Sequence, residues 1–435
     1  MKNLNIKKLI LILLPALFLG MPACKLDEIE NPNAPDQTAL ENGGATLNDL
    51  RLLAVGLESV MRVDIEQHMW TLNIVGREYW DLRATDPRYT GELLGRNGSP
   101  LDNNGFLTTR AYARHYRIAR NAWVVMHATQ NTAAALTPEQ RNGFIGHART
   151  LLAFALLQEV NRQYENGIRV DVEDPDNRGA FLSYPDALRA IGEILDAANT
   201  ELAGAGTDFA FNSSLGDVAR VKQFNRALAA RVAMYKGNDK ANMRTFLQQT
   251  WIDPDGDMNE GVYHIFGAGG NNILNPLFVV PNQTKFVAHP DFVANAEPGD
   301  TRFTSKTTQL AAPFSSDDLS GDVQATIFAS NISPFPIIRN EELVLMWAEA
   351  NIGFDNNAAV TAINKVRAAA GLTPYGGSTD DASLTDQLLH ERRYSLFGEG
   401  HRWIDMRRFG RIGEIPTDRP GDVVHVQFPR PVLEQ

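Results

Sequence analysis

One cysteine stands among the 435 residues, Cys24, so an internal disulfide is excluded. Net positive charge is also missing. The formal charge is -11, which speaks against nucleic acid, whose phosphates demand clustered cations. Past the N-terminus no apolar run reaches eighteen residues, so no transmembrane helix is expected. Several chemical signatures are absent too: the Gly-rich phosphate loops, His-Glu-x-x-His, Cys-x-x-Cys and the Gly-x-Ser-x-Gly elbow. No cofactor is implied. Asp253-Pro254-Asp255-Gly256-Asp257 has part of a calcium loop, but its glycine is at position four and His264 stands at position twelve, so it reads as a surface acidic turn and no metal is expected. Residues 171–177 read the same way. Carboxylates are plentiful, yet sequence alone does not set two of them a glycosidase distance apart.

The N-terminus is better defined. Lys2, Lys7 and Lys8 precede an apolar run from Leu9 to Leu19, the length of a signal-peptide core and too short for a bilayer span. Cys24 follows Met21-Pro22-Ala23, in the manner of the lipidated cysteine of a bacterial lipoprotein, so residues 1–23 are expected to be a signal peptide. Lys25-Leu26-Asp27-Glu28 resembles a surface-export signal. Residues 24–45, rich in Pro, Asn, Gly and acids, read as a tether.

Helical periodicity dominates residues 46–250. The spacing of Ala111, His115, Ile118, Ala122, Val125 and Met126 predicts a helix over 108–128. Thr137-Pro138 opens another, an N-cap followed by a proline at the first helical position, running to about Tyr164. Further helices are expected near 184–202, 221–235 and 240–250. Alternating small and large residues (148–157, 226–235) suit close-packed helix pairs of the tetratricopeptide style. Residues 251–336 are dense in Gly, Pro, Asn and Asp, with short apolar runs such as Leu277 to Val280 that read as strands. An irregular segment of this length inside a compact protein is usually functional. Helices return at 338–353, 357–370, 383–397 and 401–409, within a C-terminal region spanning 337–435.

The C-terminal region carries a resemblance. Arg339, Glu342, Ala348-Glu349-Ala350, Ile363, Asn364, Val366, Arg367 and Gly371 match one pattern, and Glu391, Arg392, Glu399, Gly400, His401, Arg402, Trp403, Asp405 and Arg407 match a second. Together with the lipoprotein-like start, the chain resembles the RagB/SusD family of outer-membrane nutrient-uptake lipoproteins. The resemblance implies an all-α, tetratricopeptide-like scaffold with an irregular, partly stranded ligand-facing region. It implies a cell-surface binding protein, not an enzyme. Such a protein is held to the membrane by lipid and passes oligosaccharide, or another nutrient such as peptide, to a SusC-type TonB-dependent transporter. The alternatives are a glycoside hydrolase and a helical-repeat interaction scaffold without glycan binding.

Residues 391–410 hold five arginines, a histidine and three acids threaded through apolar residues. Arg392 lies between Leu388 and Leu396 on one apolar helix face, so carboxylate partners are required there. Gly398 and Gly400 allow a sharp bend. The expectation is a structural ion-pair lock of Arg339, Glu342, Glu349, Glu391, Arg392, Glu399, His401, Arg402 and Asp405. Ligand contacts are expected from the aromatic and charged residues of 77–98, namely Tyr79, Trp80, Asp81, Arg83 and Tyr89, because sugar rings stack on aromatic faces while polar groups take the hydroxyls. Asn271, Asn272 and Phe314 are expected on the ligand face of the variable segment; Trp70 is expected in the core.

Overall fold

The computed structural model describes residues 39–174, 176–270 and 272–434. The signal peptide, Cys24 and most of the tether lie outside the described residues, as does Asn271. The chain starts with α1 (Leu47–Val60) and α2 (Ile65–Val75), continues through the short strand β1 (Tyr79–Asp81), and enters two long helices, α3 (Phe106–Asn131) and α4 (Pro138–Gln163). After the two-residue strands β2 (Ile168–Arg169) and β3 (Phe181–Leu182) come α5 (Tyr184–Ala203), α6 (Val218–Lys236) and α7 (Lys240–Leu247). From α3 to α7 each helix packs on the next, as stacked helix pairs do.

Local signals explain where these helices begin. Thr137 accepts from the Gln140 amide at 3.2 Å and Gln140 reaches back to the Thr137 amide, a capping box with Pro138 just inside it. Ser183 and Asp217 cap α5 and α6 by accepting the Asp186 and Arg220 amides. Helix α4 is buried on nearly every side, with Gly143, Gly146, Ala148, Ala153 and Ala155 letting its neighbours close in. A Cβ at Gly146 would meet Leu202 of α5 at 2.8 Å, so the approach of these two helices depends on the missing side chain.

The middle segment contains β4 (Gly261–His264), β5 (Phe286–Ala288), the short helices α8 (Pro290–Ala294) and α9 (Thr301–Lys306), and a hairpin of β6 (Thr307–Ser316) and β7 (Leu319–Ala325). A sheet in the order β1-β5-β7-β6 brings this segment onto the N-terminal helices, with Tyr79 opposite Ala288 and Trp80 opposite Val287. Residues 277–280 are not a strand, contrary to the sequence expectation. Pro276 and Pro281 bracket the run, and Asn275 takes the Leu277 amide with its side chain at 2.9 Å, which makes a turn. Strand β8 (Phe335–Arg339) pairs with β4 and leads into α10 (Asn340–Asn351), α11 (Asn356–Ala369), α12 (Asp381–Ser395) and α13 (Arg402–Arg408). No helix among the described residues is long and apolar enough to cross a membrane.

Charged pairs stitch the C-terminal helices into the core. Arg392, 1% exposed, donates to Asp405 at 2.7 Å; Arg408 also reaches Asp405 (2.9 Å) and holds Glu349 (2.7 Å). Glu391 sits between Arg302 (2.6 Å) and Arg367 (2.7 Å). Arg231 of α6 forks onto Glu342 (2.7 Å), and Arg339 binds Glu341 (2.8 Å) and Glu399 (2.6 Å). Arg339 and Glu342, both expected in the lock, thus bind different partners. Burial lowers His401 to about 4, so it is neutral beside Glu342, 4.0 Å away. Arg402 is pushed down to about 10 by burial and by nearby Arg393, and it faces the buried Glu78. The bend between α12 and α13 has Gly398 at φ +82° and Gly400 at φ +78°, conformations costly for other residues.

Candidate functional site

The segment expected to meet a ligand folds inward first. Tyr79, Trp80 and Tyr89 are 4%, 5% and 5% exposed. The Trp80 indole donates to Asp418 at 2.7 Å, the Tyr79 hydroxyl accepts from Asn73 at 3.1 Å, and Tyr89 packs edge-on to Trp70 and Phe106. Their ring faces are covered by protein, which corrects the expectation of a stacking platform at these positions. The reason is the sheet: β1 is an edge strand laid across the N-terminal helices, and its side chains on both faces are enclosed. Asp81 is fully buried and forks onto Arg83 (2.9 and 2.7 Å), whose guanidinium lies over Trp70 (4.6 Å) and Phe286 (4.5 Å). Trp70 is packed partly buried against the core.

Just beyond, the chain turns outward. Asp86 repeats the Asp-x-Arg fork with Arg88 (2.9 and 2.6 Å), and the hydrogen bond from Arg88 holds the Asp86 carboxyl below its usual range. Arg88 lies over the Phe106 ring at 4.3 Å. From here to residue 103 the backbone borders an open cleft of about 710 Å³, whose polar lining includes Arg88, Glu92, Arg96, Asn97, Asp102 and Asn103. Glu92 is largely buried, which raises its pKa, and it accepts the Asp102 amide at 2.8 Å. Asp102 caps its own turn by accepting from Asn104 at 2.9 Å. Arg96 reaches out to the tip of the β6–β7 hairpin, where it contacts Asp317 and binds Asp318 at 3.0 Å. Asp317 and Asp318 both have positive φ, and Arg419 fastens Asp317 from the other side at 2.8 Å. The variable segment thus touches the cleft through two aspartates.

A second cleft, of about 450 Å³, lies across the Asp102–Gly105 turn. Its lining includes Tyr112, Tyr116, Arg169, Val172, Val432 and Leu433, and the Val432 amide donates to Asn103 at 3.2 Å. Tyr112 and Tyr116 are one helical turn apart on α3, their ring centroids 4.6 Å from each other. The Tyr116 hydroxyl both donates to and accepts from the Arg169 backbone at 3.0 Å. Periodicity placed these residues in a helix without marking them. A tyrosine pair at i, i+4 was the signal available, and its meaning depends on the C-terminal segment that comes to lie beside it.

The other expected contacts lie apart from both clefts. Asn272 accepts from Arg62 and from its own neighbour Ile273 (2.9 Å). Phe314 is partly buried on β6 with Lys285 5.9 Å from its ring centre. Among the described residues no group of three His, Cys, Asp or Glu is placed to hold a metal ion. The linings of the two clefts offer hydrogen-bond donors and acceptors beside a tyrosine pair.

The architecture is a helical-repeat fold with three small sheets among the described residues. Residues 313–425 match the model of the SusD family. A SusD-like protein of Formosa agariphila is 22% identical over 302 residues, 60% of this chain; the chain spans only 57% of that protein's length. A SusD superfamily protein from Bacteroides vulgatus superposes with a TM-score of 0.68 at 15% identity, covering 89% of this chain and 96% of the other. The surface glycan-binding protein A of Bacteroides thetaiotaomicron, solved in complex with laminarihexaose, gives 0.67 at 14% identity, covering 90% and 97%. The fold is thus the one shared by the SusD superfamily structures, and the match to the SusD family model lies within residues 313–425.

Proposed function

We propose that this protein captures oligosaccharide at the cell surface and hands it to a SusC-type TonB-dependent transporter. The observation that carries the reading is the open polar cleft at residues 87–103, on a fold shared with a protein solved in complex with laminarihexaose. Sugar hydroxyls need paired donors and acceptors. Arg88, Asn97 and Asn103 supply donors, Glu92 and Asp102 supply acceptors, and the Asp-x-Arg forks hold the arginine side chains in place. Tyr116, half-buried one helical turn from the enclosed Tyr112, offers an aromatic edge to a longer chain across the turn. Lipid on Cys24 tethers the domain over its transporter, which raises the local ligand concentration at the pore.

The test is calorimetric titration of the unlipidated Cys24→Ala protein with laminarihexaose and a panel of other glycans and peptides, with reducing-end release assayed in the same samples. Saturable glycan binding without sugar release supports capture. Asn97→Ala, at an exposed position in the cleft, is expected to weaken binding about tenfold, the loss of a charge-neutral hydrogen-bonding pair. Released sugar overturns the reading in favour of an enzyme. Co-purification of the lipidated protein with a TonB-dependent barrel from outer membranes tests the transporter, and incorporation of labelled palmitate that Cys24→Ala abolishes tests the anchor.

A further inference from the structure

Acids outnumber Lys and Arg in this chain, 52 to 41, yet one recess concentrates cations. A cavity of about 290 Å³ lies where the ends of α4, α6 and α10 meet the start of α5 and the end of α13. Its lining includes four cations, Lys236, Lys240, Arg407 and Arg408, against one carboxylate, Glu349. That carboxylate is already held by Arg408 at 2.7 Å. The other cations are held by weak or neutral partners. Lys240 donates to the Ile352 carbonyl at 2.7 Å, and Lys236 is 3.6 Å from Asp239.

Arg407 is the anomaly. It is only 6% exposed, and its hydrogen bonds run to the carbonyls of Asn161 (2.6 Å) and Val426 (2.9 Å). Its guanidinium lies over the rings of Tyr164 (4.1 Å) and Trp403 (4.5 Å). Among the described residues no carboxylate pairs with it, whereas Arg231 and Arg392 each have one and Arg408 has two. A buried cation left without a counter-charge is costly, and an incoming anion relieves that cost.

The walls are aromatic. Tyr164, Tyr184 and Phe409 border the recess, and the first two rings are 4.9 Å apart. Tyr164 has φ +46° and ψ -114°, a strained backbone that sets its ring at the end of α4. Aromatic faces stack on the C–H face of a sugar ring, while arginine and lysine take a carboxylate. The volume lies at the small end of ligand pockets and suits one ring.

We propose that this recess binds a hexuronic acid, free or as the acidic terminal unit of an oligosaccharide. The site is separate from the cleft at residues 87–103 and does not depend on what that cleft takes. The test is calorimetry of the full unlipidated Cys24→Ala chain with D-glucuronate, D-glucose and sodium sulfate as separate probes. Glucuronate is expected to bind at least about tenfold tighter than glucose, the gain of a charge-assisted contact. Its affinity should fall as NaCl rises from about 0.05 to about 0.5 M. Arg407 ties α4 to the C-terminal segment, so its removal threatens the fold; Lys240→Gln is the cleaner variant. That change is expected to weaken glucuronate about fivefold or more at unaltered thermal midpoint, and Asn97→Ala is expected to leave glucuronate affinity unchanged. Equal binding of glucose and glucuronate, sulfate binding without glucuronate binding, or full affinity in Lys240→Gln would each overturn the proposal.

Discussion

Replacing Asp405 by asparagine removes one charge from the centre of the C-terminal network. Asp405 is 4% exposed and is the one carboxylate that Arg392 reaches at ion-pair distance among the described residues, while Arg408 keeps Glu349 when Asp405 is gone. The neighbouring Arg392 and Arg408 hold the Asp405 carboxyl at about 2, against burial, which acts the other way. Holding a carboxyl at about 2 rather than 3.8 corresponds to about 2.5 kcal/mol of stability. Breaking a buried pair by removing one partner typically costs ~3–5 kcal/mol, because the remaining charge stays buried. Asp405→Asn should therefore destabilise the fold by roughly 2–5 kcal/mol at pH 7.

The sign with pH follows from the direction of the shift. A depressed carboxyl stabilises the fold above its unfolded pKa, so the wild-type advantage is complete above about pH 4 and is lost as pH falls toward 2. Urea denaturation followed by circular dichroism, run on both proteins from pH 7 downward, reads this difference. A cost under about 1 kcal/mol at pH 7, or a difference that does not shrink in acid, would refute the reasoning. The double change Arg392→Met with Asp405→Leu should cost less than the two single changes together, since it leaves no orphaned charge.

Other predictions follow from burial. His68, His115 and His264 are fully enclosed and held well below their ordinary pKa by desolvation, so below pH 6.5 the unfolded chain gains protons that the fold refuses. Each such histidine subtracts about 1.4 kcal/mol per pH unit, while burial raises Glu159 to about 7 and Glu78 to about 8 and opposes part of the loss. The urea midpoint should fall between pH 6.5 and 4.5, and a flat profile would contradict this balance. At Gly398, alanine would meet the Ile327 side chain at positive φ, and a loss of roughly 2–4 kcal/mol in thermal melts is expected from strain plus overpacking. Tyr116→Ala should lower affinity for long oligosaccharides several-fold while leaving disaccharide binding at the neighbouring cleft unchanged, which a chain-length series by calorimetry would resolve.

Much of the scaffold was legible because helix formation is local. The apolar spacing of α3, the Thr137-Pro138 start of α4, and the return of helices after residue 336 all lie within windows of a few turns, and the observed bounds fall within a few residues of those read from the chain. The arginines of residues 391–410 also announced their need, since an arginine on an apolar face demands a carboxylate, and Arg392 finds Asp405 thirteen residues on. What the chain did not disclose was the partner at long range. Arg231 meets Glu342 across 111 residues, and Arg339 takes Glu399 across 60.

The same limit governs the binding surfaces. Composition marked residues 77–98 as rich in ligand-type chemistry, but a three-residue strand pairing with Phe286–Ala288 turned Tyr79 and Trp80 inward and left only some later residues, such as Arg88, Arg96 and Asn97, to border the open cleft. Which aromatic ring is covered depends on what packs over it, and that is decided by chain segments two hundred residues away. The cationic recess is a stronger case, assembled from the ends of helices that no local window joins. Sequence by itself fixed the helices, their caps and the unmet charges. Tertiary structure alone decided which charges were met and which surfaces stayed open, because burial and pairing are properties of neighbours in space.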